Sequence, residues 1–365
     1  MKKLIFLVIA GLLFSLLVSN LAFAEMAEIK VGKGTLKVGG ILQAGFTYYV
    51  EDETGFDSFT LNRARFLFWG VIVPDKVKYF VQLEHNKGVG VLDYKAQFFY
   101  VPQTEITFGR FLPNFTLYMP YSTAKLEMIN YPMTTSKYAV WRQVGIQTTT
   151  TTDHVDFNLG LFNGGDIPNN TSDNNDAKDI LLRADVKSSL DGIISKKILH
   201  LKLECRFGGY AWIGSAKPPT SFFDTTTHYV ANPDEKTFKS NRFGGFAKVD
   251  YAKDELKLRF RGEFLAAQDE FLTGPSVDEK DTRNSQAYFA HVGVQPIKQV
   301  EFLVRYEAWD PDTDVDDNDI SAITGGVNYY LEETNSMFYL NYIHKMEEGN
   351  EIDNDLIQGQ VQITF

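Results

Sequence analysis

The sequence has almost no cysteine and a deficit of basic residues. Cys205 is the single cysteine among 365 residues, which excludes an intrachain disulfide and any multi-cysteine zinc or iron–sulfur site. Only 36 Lys plus Arg stand against 47 Asp plus Glu, so the net charge is −11. A generic nucleic-acid-binding surface needs a basic face, and this composition therefore argues against such a function.

Catalytic and metal-binding motifs are also missing. The six histidines are scattered, and no Gly-x-Ser-x-Gly, His-Glu-x-x-His or Walker loop is present. The alternating aspartates from Asp310 to Asp316 resemble a calcium loop in spacing. However, Val315 stands where the turn glycine belongs, and Ser321 stands where a bidentate glutamate is needed. We therefore predict no enzyme activity, no cofactor and no specific metal site.

Long apolar runs are confined to the N-terminus. Lys2 and Lys3 precede the apolar run 4–18, and Ala22-Phe23-Ala24 then supplies a small-x-small cleavage site. This order predicts a cleaved signal peptide over residues 1–24 and an exported single domain over 25–365. A retained anchor helix is the alternative. Beyond residue 24 no stretch approaches ~18 consecutive apolar residues, so no transmembrane helix is expected there.

What the mature chain does contain is alternation of apolar and polar residues with a period of two. Between residues 256 and 264, for example, leucines and phenylalanines alternate with lysine, arginines and glutamate. Segments of about ten such residues are the signature of transmembrane strands. The segments number sixteen: 36–50, 59–73, 76–85, 91–101, 104–111, 143–151, 154–162, 180–188, 197–213, 240–251, 255–267, 285–294, 299–309, 321–331, 336–346 and 355–365.

The connections between these segments alternate between short and mostly longer ones. Residues 74–75 and 102–103 are short links, whereas 112–142 and 163–179 are long. Outer-membrane barrels show this rhythm because their periplasmic turns are short and their external loops long, and closure pairs every backbone group in lipid. We therefore predict an all-β fold: a 16-stranded antiparallel transmembrane β-barrel with its apolar faces outward.

Basic residues outnumber acidic ones on the predicted inward faces, whereas acidic residues concentrate in the predicted loops. A basic lumen would favour the passage of small anions. The alternative for each arginine is cross-strand pairing with an inward carboxylate that only hydrates the wall. The residues predicted to line the pore and attract anions are Arg63, Arg65, Lys95, Arg183, Arg259, Arg261 and Arg305.

Eight short stretches, in their order and spacing, resemble the phosphate-selective porin family (porins O and P) of Gram-negative outer membranes. They are 61–66, 92–98, 108–115, 142–145, 162–164, 261–264, 304–307 and 325–331. The resemblance implies a sixteen-stranded barrel, a homotrimer and passive diffusion of small solutes, anions in the best-known members. The family's Gln-Phe-Lys-Pro-Pro-Phe stretch is Arg110-Phe111-Leu112-Pro113-Asn114-Phe115 here, so phosphate and organic anions both stay open as solutes.

The connection 112–142 is too long for a plain loop. In sixteen-stranded porins the third external loop folds inward and constricts the pore, and this segment occupies that position. A surface loop is the alternative. Its charged residues, predicted to stand at the constriction, are Lys125, Glu127, Lys137 and Arg142.

The expected location is the outer membrane, and the expected partners follow from it. They are outer-membrane lipid, lipopolysaccharide, small anionic solutes and the barrel assembly machinery, whose recognition signal the terminal Phe365 resembles. A structural or surface-display barrel with acidic loops and no open channel is the second interpretation. A soluble secreted β-protein is the third. Single-channel conductance separates the first two.

Overall fold

The computed structural model describes residues 28–50, 56–86, 88, 90–164, 172–173, 176–189, 201–216, 238–272, 280–333, 335–347 and 354–365. The predicted signal peptide, 1–24, lies outside the described residues. In the part of the chain that is described, no helix has both the length and the apolar character needed to cross a bilayer.

Strands make up nearly all of the regular structure. One short helix, α1 (Met133–Tyr138), and one 3₁₀ turn (Thr123–Lys125) interrupt the longest described connection. The strands are β1 (Glu28–Val31), β2 (Gly34–Tyr49), β3 (Ser58–Val73), β4 (Val77–Glu84), β5 (Gly90–Val101), β6 (Thr104–Phe111), β7 (Gln143–Thr151), β8 (Val155–Phe162), β9 (Asp179–Ser189), β10 (Leu201–Ala216), β11 (Phe238–Lys253), β12 (Leu256–Leu272), β13 (Lys280–Ile297), β14 (Val300–Asp310), β15 (Ile320–Glu332), β16 (Ser336–Glu347) and β17 (Leu356–Thr364).

Strands β2 to β17 close into a ring. Each pairs antiparallel with the next along the chain, and β17 pairs back onto β2 from Leu356 opposite Tyr49 to Thr364 opposite Ile41. The short β1 forms a hairpin with the first residues of β2. The predicted sixteen-stranded antiparallel barrel is therefore confirmed, and a closed ring leaves no strand edge in lipid.

Burial is inverted relative to a soluble protein. Along β8 the side chains of Val155, Phe157 and Leu159 are exposed, whereas Asp156 and Asn158 between them are buried. The apolar residues therefore face outward, as predicted, because lipid rather than water surrounds the wall.

Two features of the strands were not predicted. The hairpin strand β1 has four residues, too few to show an alternation. Strands β12 and β13 extend past the predicted segments 255–267 and 285–294, and they remain paired as far as Leu272 opposite Lys280. In this extension both faces carry charged residues, Asp269 and Arg283 on one and Glu270 on the other, so neither face has the apolar character that lipid requires.

Four of the short connections contain a non-glycine residue in the left-handed region of backbone conformation. Asp75 and Gln103 have φ of 58°, Asp254 has φ of 54° and Glu333 has φ of 46°. The favoured two-residue hairpin turns use positive φ, which aspartate tolerates better than most residues. These turns lie at one end of the barrel, and the segment that follows β6 leaves from the other.

Candidate functional site

The segment from Leu112 to Arg142, called the inner segment below, lies against the inside of the barrel wall. Phe115, Leu117 and Met119 are almost fully buried. The ring of Phe115 lies 5.0 Å from that of Tyr210 and 5.6 Å from that of Trp212, both on inward faces of β10. An apolar core therefore forms inside the barrel, between the wall and the inner segment.

Arg183 of β9 holds the start of the inner segment. Its guanidinium donates to the carbonyl oxygens of Phe115 and Thr116, each at 2.9 Å. The same group binds both carboxylate oxygens of Asp185 at 2.8 Å. A bidentate pair of this kind fixes the orientation of the guanidinium. Arg183 therefore acts as a clamp on the segment, with its charge matched by Asp185.

Glu263 of β12 ties two parts of the inner segment together. One carboxylate oxygen accepts from the backbone N–H of Leu117 at 2.6 Å and from the hydroxyl of Tyr210 at 2.8 Å. The other accepts from the hydroxyl of Thr134 at 2.6 Å. Three donors thus satisfy one buried carboxylate, which is the condition for keeping such a group inside a protein.

Replacing Glu263 with alanine is expected to destabilise the barrel and loosen the inner segment. Three buried donors would lose their acceptor, and each such loss costs about 1–3 kcal/mol. We expect the midpoint of urea unfolding of the refolded protein to fall clearly. Glu204→Ala, at a half-exposed position of β10, is the matched control and should leave the midpoint nearly unchanged. An equal fall in both variants would contradict the assigned role.

Glu127 lies at the middle of the inner segment and is buried. It accepts from the hydroxyl of Tyr118 at 2.7 Å and pairs with Arg261 of β12 at 3.2 Å. Burial by itself would raise the pKa of Glu127, but Arg261, the neighbouring His291 and the Tyr118 hydroxyl together hold that pKa below its ordinary value. The carboxylate is therefore ionised at neutral pH and its charge is matched by Arg261.

The tip of the inner segment reaches the wall at β2, β3 and β17. The carbonyl of Thr123 accepts from Gln43 at 3.2 Å, and its hydroxyl accepts from Arg65 at 3.0 Å. The carbonyl of Ala124 accepts from Gln362 at 2.9 Å. Since the same segment is held by β9 and β12 elsewhere, it crosses the interior of the barrel.

Two more ion pairs hold the second half of the inner segment. Arg305 of β14 donates to the carbonyl of Asn130 and to Glu307, each at 3.0 Å. Arg142, at the segment's end, pairs with Asp93 of β5 at 3.0 Å. The inner segment is thus fixed to the wall along its whole length.

The predicted pore residues fall into two groups by charge pairing. The paired group has a carboxylate partner for each cation: Arg65 with Glu84, Arg142 with Asp93, Arg183 with Asp185, Arg259 with Glu301, Arg261 with Asp250 and Glu127, and Arg305 with Glu307. The second group, called the unpaired cations below, forms no ion pair with any described residue: Arg63, Lys95, Lys125 and Lys137.

The unpaired cations meet neutral groups instead. Arg63 donates to the Gln43 side chain at 2.7 Å, and the Lys137 ammonium lies 3.7 Å from the ring centroid of Trp309. Partial burial, and then the charge of Lys345, lowers the pKa of Lys137. Lys125 is exposed at the tip of the inner segment. No carboxylate among the described residues therefore neutralises these four positive charges.

Several residues that position the inner segment were not predicted. Gln43, Gln362, Asn328 and Tyr339 are neutral and were passed over in favour of charged positions, although the alternation already placed them on inward faces. Asn328 donates to the carbonyl of Glu127 at 2.8 Å, and Tyr339 donates to the carbonyl of Leu126 at 3.2 Å. Within the described part of the chain, no three His, Cys, Asp or Glu side chains come together as a metal site.

A closed sixteen-stranded barrel whose interior carries polar side chains and, in the described part of the chain, is crossed by a connecting segment is typical of porin-type outer-membrane proteins. The sequence profile of a family described as phosphate-selective porin O and P matches residues 36–365. The chain therefore belongs to the phosphate-selective porin O and P family. This family and the fold place the protein in the outer membrane and indicate a channel rather than an enzyme.

Solved structures support the same fold. OmpT of Vibrio cholerae, folded in vitro, has a TM-score of 0.60 and 12% sequence identity, and the match covers 94% of this chain and 100% of that one. The trimer form of OmpT has a TM-score of 0.59 at 11% identity, covering 91% of this chain and 99% of that one. An anion-selective porin from Comamonas acidovorans has a TM-score of 0.58 at 12% identity, covering 91% and 100%. No curated protein sequence matches the chain.

Proposed function

We propose that the protein is a passive porin for small hydrophilic solutes and that it favours anions. The observation that carries this proposal is the imbalance of pairing within the barrel. Arg63, Lys95, Lys125 and Lys137 have no carboxylate partner among the described residues, whereas the inward carboxylates Glu84, Asp93, Asp185, Glu301 and Glu307 are held in ion pairs. Two other inward carboxylates, Glu105 and Glu263, are bound by neutral donors, and Glu263 is buried. Unpaired charge of one sign raises the local concentration of the opposite ion.

The paired arginines have a different part in this proposal. Arg183, Arg261 and Arg305 are almost fully buried against their carboxylates and the inner segment. A nearby opposite charge cancels most of their field at the distance of a passing ion. They hold the constriction in place, and Arg65 and Arg259 add a weaker attraction for anions.

The proposed constriction is the inner segment. It is supported by hydrogen bonds to well-separated parts of the ring, from Arg183 on β9 to Gln43 and Gln362 on the adjoining strands β2 and β17. Sixteen strands enclose a water-filled interior, so a segment that crosses this interior reduces the width open to solutes. The family description and the anion-selective structural neighbour favour phosphate or organic anions as solutes.

Reversal potential tests the proposal directly. The refolded protein is placed in a planar bilayer under a potassium chloride gradient. We expect open channels whose reversal potential has the sign of a preference for chloride over potassium. A preference for potassium would overturn the proposed anion selectivity, whereas the proposal that the protein is a porin would stand.

A surface-display barrel without an open channel is the second candidate. The observation in its favour is that the inner segment is bonded to the wall along its whole length. A barrel shown to be folded by circular dichroism, and still silent in the bilayer, would establish this candidate and overturn the channel.

The remaining partners belong to the same proposal. The trimer form among the structural neighbours supports a homotrimer, and the outward apolar wall would contact lipid and lipopolysaccharide. Cleavage of residues 1–24 on export also belongs to the proposal. Phe365 would be read by the assembly machinery. Its backbone bonds to Gly40 at 2.9 and 3.2 Å while its side chain is 58% exposed and so available for recognition.

Phe365→Ser separates recognition from stability. Because the backbone bonds to Gly40 do not need the ring, we expect refolding in detergent to stay within about twofold of the parent protein. The amount assembled in the outer membrane of cells should fall several-fold. Equal losses in both measurements would show that the ring matters for the barrel itself rather than for recognition.

A further inference from the structure

Part of the lumen wall is apolar where polar residues are expected. Leu67 and Trp69 of β3 follow Arg63 and Arg65 on the inward face, and Trp69 pairs across the sheet with Phe80 of β4. All three apolar side chains are half-buried rather than enclosed. Apolar side chains that stay accessible on a wall facing water are candidates for a binding surface.

These residues line a cavity of about 330 Å³, together with Lys78, Lys95 and Gln97. Pockets for small molecules begin at roughly 300 Å³, so this cavity suits a ligand of modest size. Leu67 and Trp69 also line a second cavity, which Ser122 and Ala124 of the inner segment line together with residues of β2 and β17. The pocket therefore lies beside the proposed constriction, where a permeating solute would meet it.

Two lysines at the pocket have no carboxylate partner among the described residues. The Lys95 ammonium lies 5.6 Å from the ring centroid of Phe80 and 5.8 Å from that of Phe111. The Lys78 ammonium lies 4.8 Å from the ring centroid of Phe99. A ring face attracts a cation less strongly than a carboxylate does. Both ammonium groups can therefore still bind an anion.

The carboxylates nearest to these lysines along β5 and β6 are already engaged. Asp93, two residues before Lys95, pairs with Arg142 at 3.0 Å. Glu105 accepts from Gln97 and from the Thr107 hydroxyl, each at 2.7 Å. The pocket thus combines the two ammonium groups, which have no carboxylate partner among the described residues, with an apolar wall formed by Leu67, Trp69 and Phe80.

We infer that this pocket binds small aromatic monocarboxylates, with the carboxylate at Lys78 and Lys95 and the ring against Trp69 and Phe80. The inference rests on the proposed function, because it names the class of solute that such a channel would select. Phosphate has no apolar surface to bury, and the rings would only displace its water. An aromatic carboxylate satisfies both halves of the pocket, since its ring adds stacking contacts to the ion pair.

Titration calorimetry on the folded, detergent-solubilised protein tests this inference with benzoate and acetate as probes. The two probes share a carboxylate and differ in the ring. Stacking on two aromatic side chains should make benzoate bind about tenfold more tightly than acetate. Equal affinity for the two would overturn the inference.

Matched variants assign the two halves of the pocket. Trp69→Leu should abolish the preference for benzoate, and Phe80→Leu should reduce it. Lys95→Met should lower the affinity for both benzoate and acetate. The second aromatic variant keeps the test decisive if the first fails to fold. Phe207→Leu, on the lipid-facing side of β10, and Lys257→Met, outside the pocket, are the controls and should bind as the parent does. A full preference for benzoate in a folded Trp69→Leu or Phe80→Leu variant would overturn the placement of the ring.

Bilayer recordings separate this inference from the proposed function. Anion-selective channels that bind benzoate and acetate equally would support the porin proposal and overturn the inference of an aromatic pocket. A folded protein that binds benzoate tightly but conducts no ions would support the aromatic pocket and overturn the proposed channel function.

Discussion

Reversing the charge of Arg63 and Lys95 together is expected to lower the anion-over-cation permeability ratio by about tenfold. Both side chains lie on the inward face of the wall, on β3 and β5, which flank β4, and neither has a carboxylate partner among the described residues. Each substitution with glutamate therefore replaces an available positive charge with an available negative one. The reversal potential under a potassium chloride gradient measures the change.

The matched control for this variant reverses two other lysines. Lys253 and Lys257 flank the tight turn at Asp254, are exposed, and form no ion pair with described residues. The double reversal Lys253→Glu with Lys257→Glu changes the net charge equally but at the rim of the barrel. We expect a shift much smaller than that of Arg63→Glu with Lys95→Glu, because water and salt screen charges at a wide mouth. Equal shifts would show that selectivity follows total charge rather than the unpaired cations.

Removing the inner segment is expected to raise single-channel conductance several-fold. Phe111, the last residue of β6, lies directly opposite Gln143, the first residue of β7. A short Asn-Gly-containing turn can therefore join the two strands in place of residues 112–142 without changing their register. Conductance grows with the open cross-section of the pore, and the deletion removes the inner segment that crosses the pore. Conductance measured at fixed salt in a planar bilayer checks the prediction.

A second shortened variant controls for the deletion. Replacing residues 217–237, which connect β10 to β11, with a short turn removes a long connection while keeping the inner segment. Its conductance should stay close to that of the parent. If the variant lacking 112–142 conducts no better than the parent, the inner segment does not limit the pore.

The strands could be predicted because lipid imposes a simple rule on them. Along β8, Val155, Phe157 and Leu159 must face hydrocarbon while Asp156 and Asn158 face inward, so the sequence alternates at every residue. At the ends of β12 and β13 both faces carry charged residues, so the alternation is absent there and these ends were missed.

The interior was harder to predict. Alternation places Arg261 on an inward face, but it carries no information about Glu127, which is 134 residues away in sequence. Pairing across the lumen depends on how the inner segment folds, and that fold rests on neutral groups such as Gln43 and Gln362 as much as on charges. Charge counting therefore predicted a basic wall, whereas most of those arginines have partners.

Joining β17 to β2 has a consequence for how the protein acquires its shape. The contacts that complete the ring connect residues more than three hundred positions apart, such as Gln43 and Gln362, which hydrogen-bond at 2.6 Å. Until they form, the sheet presents two unpaired edges, each able to recruit a strand from another chain. During assembly, closure of the ring therefore competes kinetically with aggregation through the unpaired edges. We therefore expect any factor that shields those edges until the ring closes to raise the yield of folded barrel.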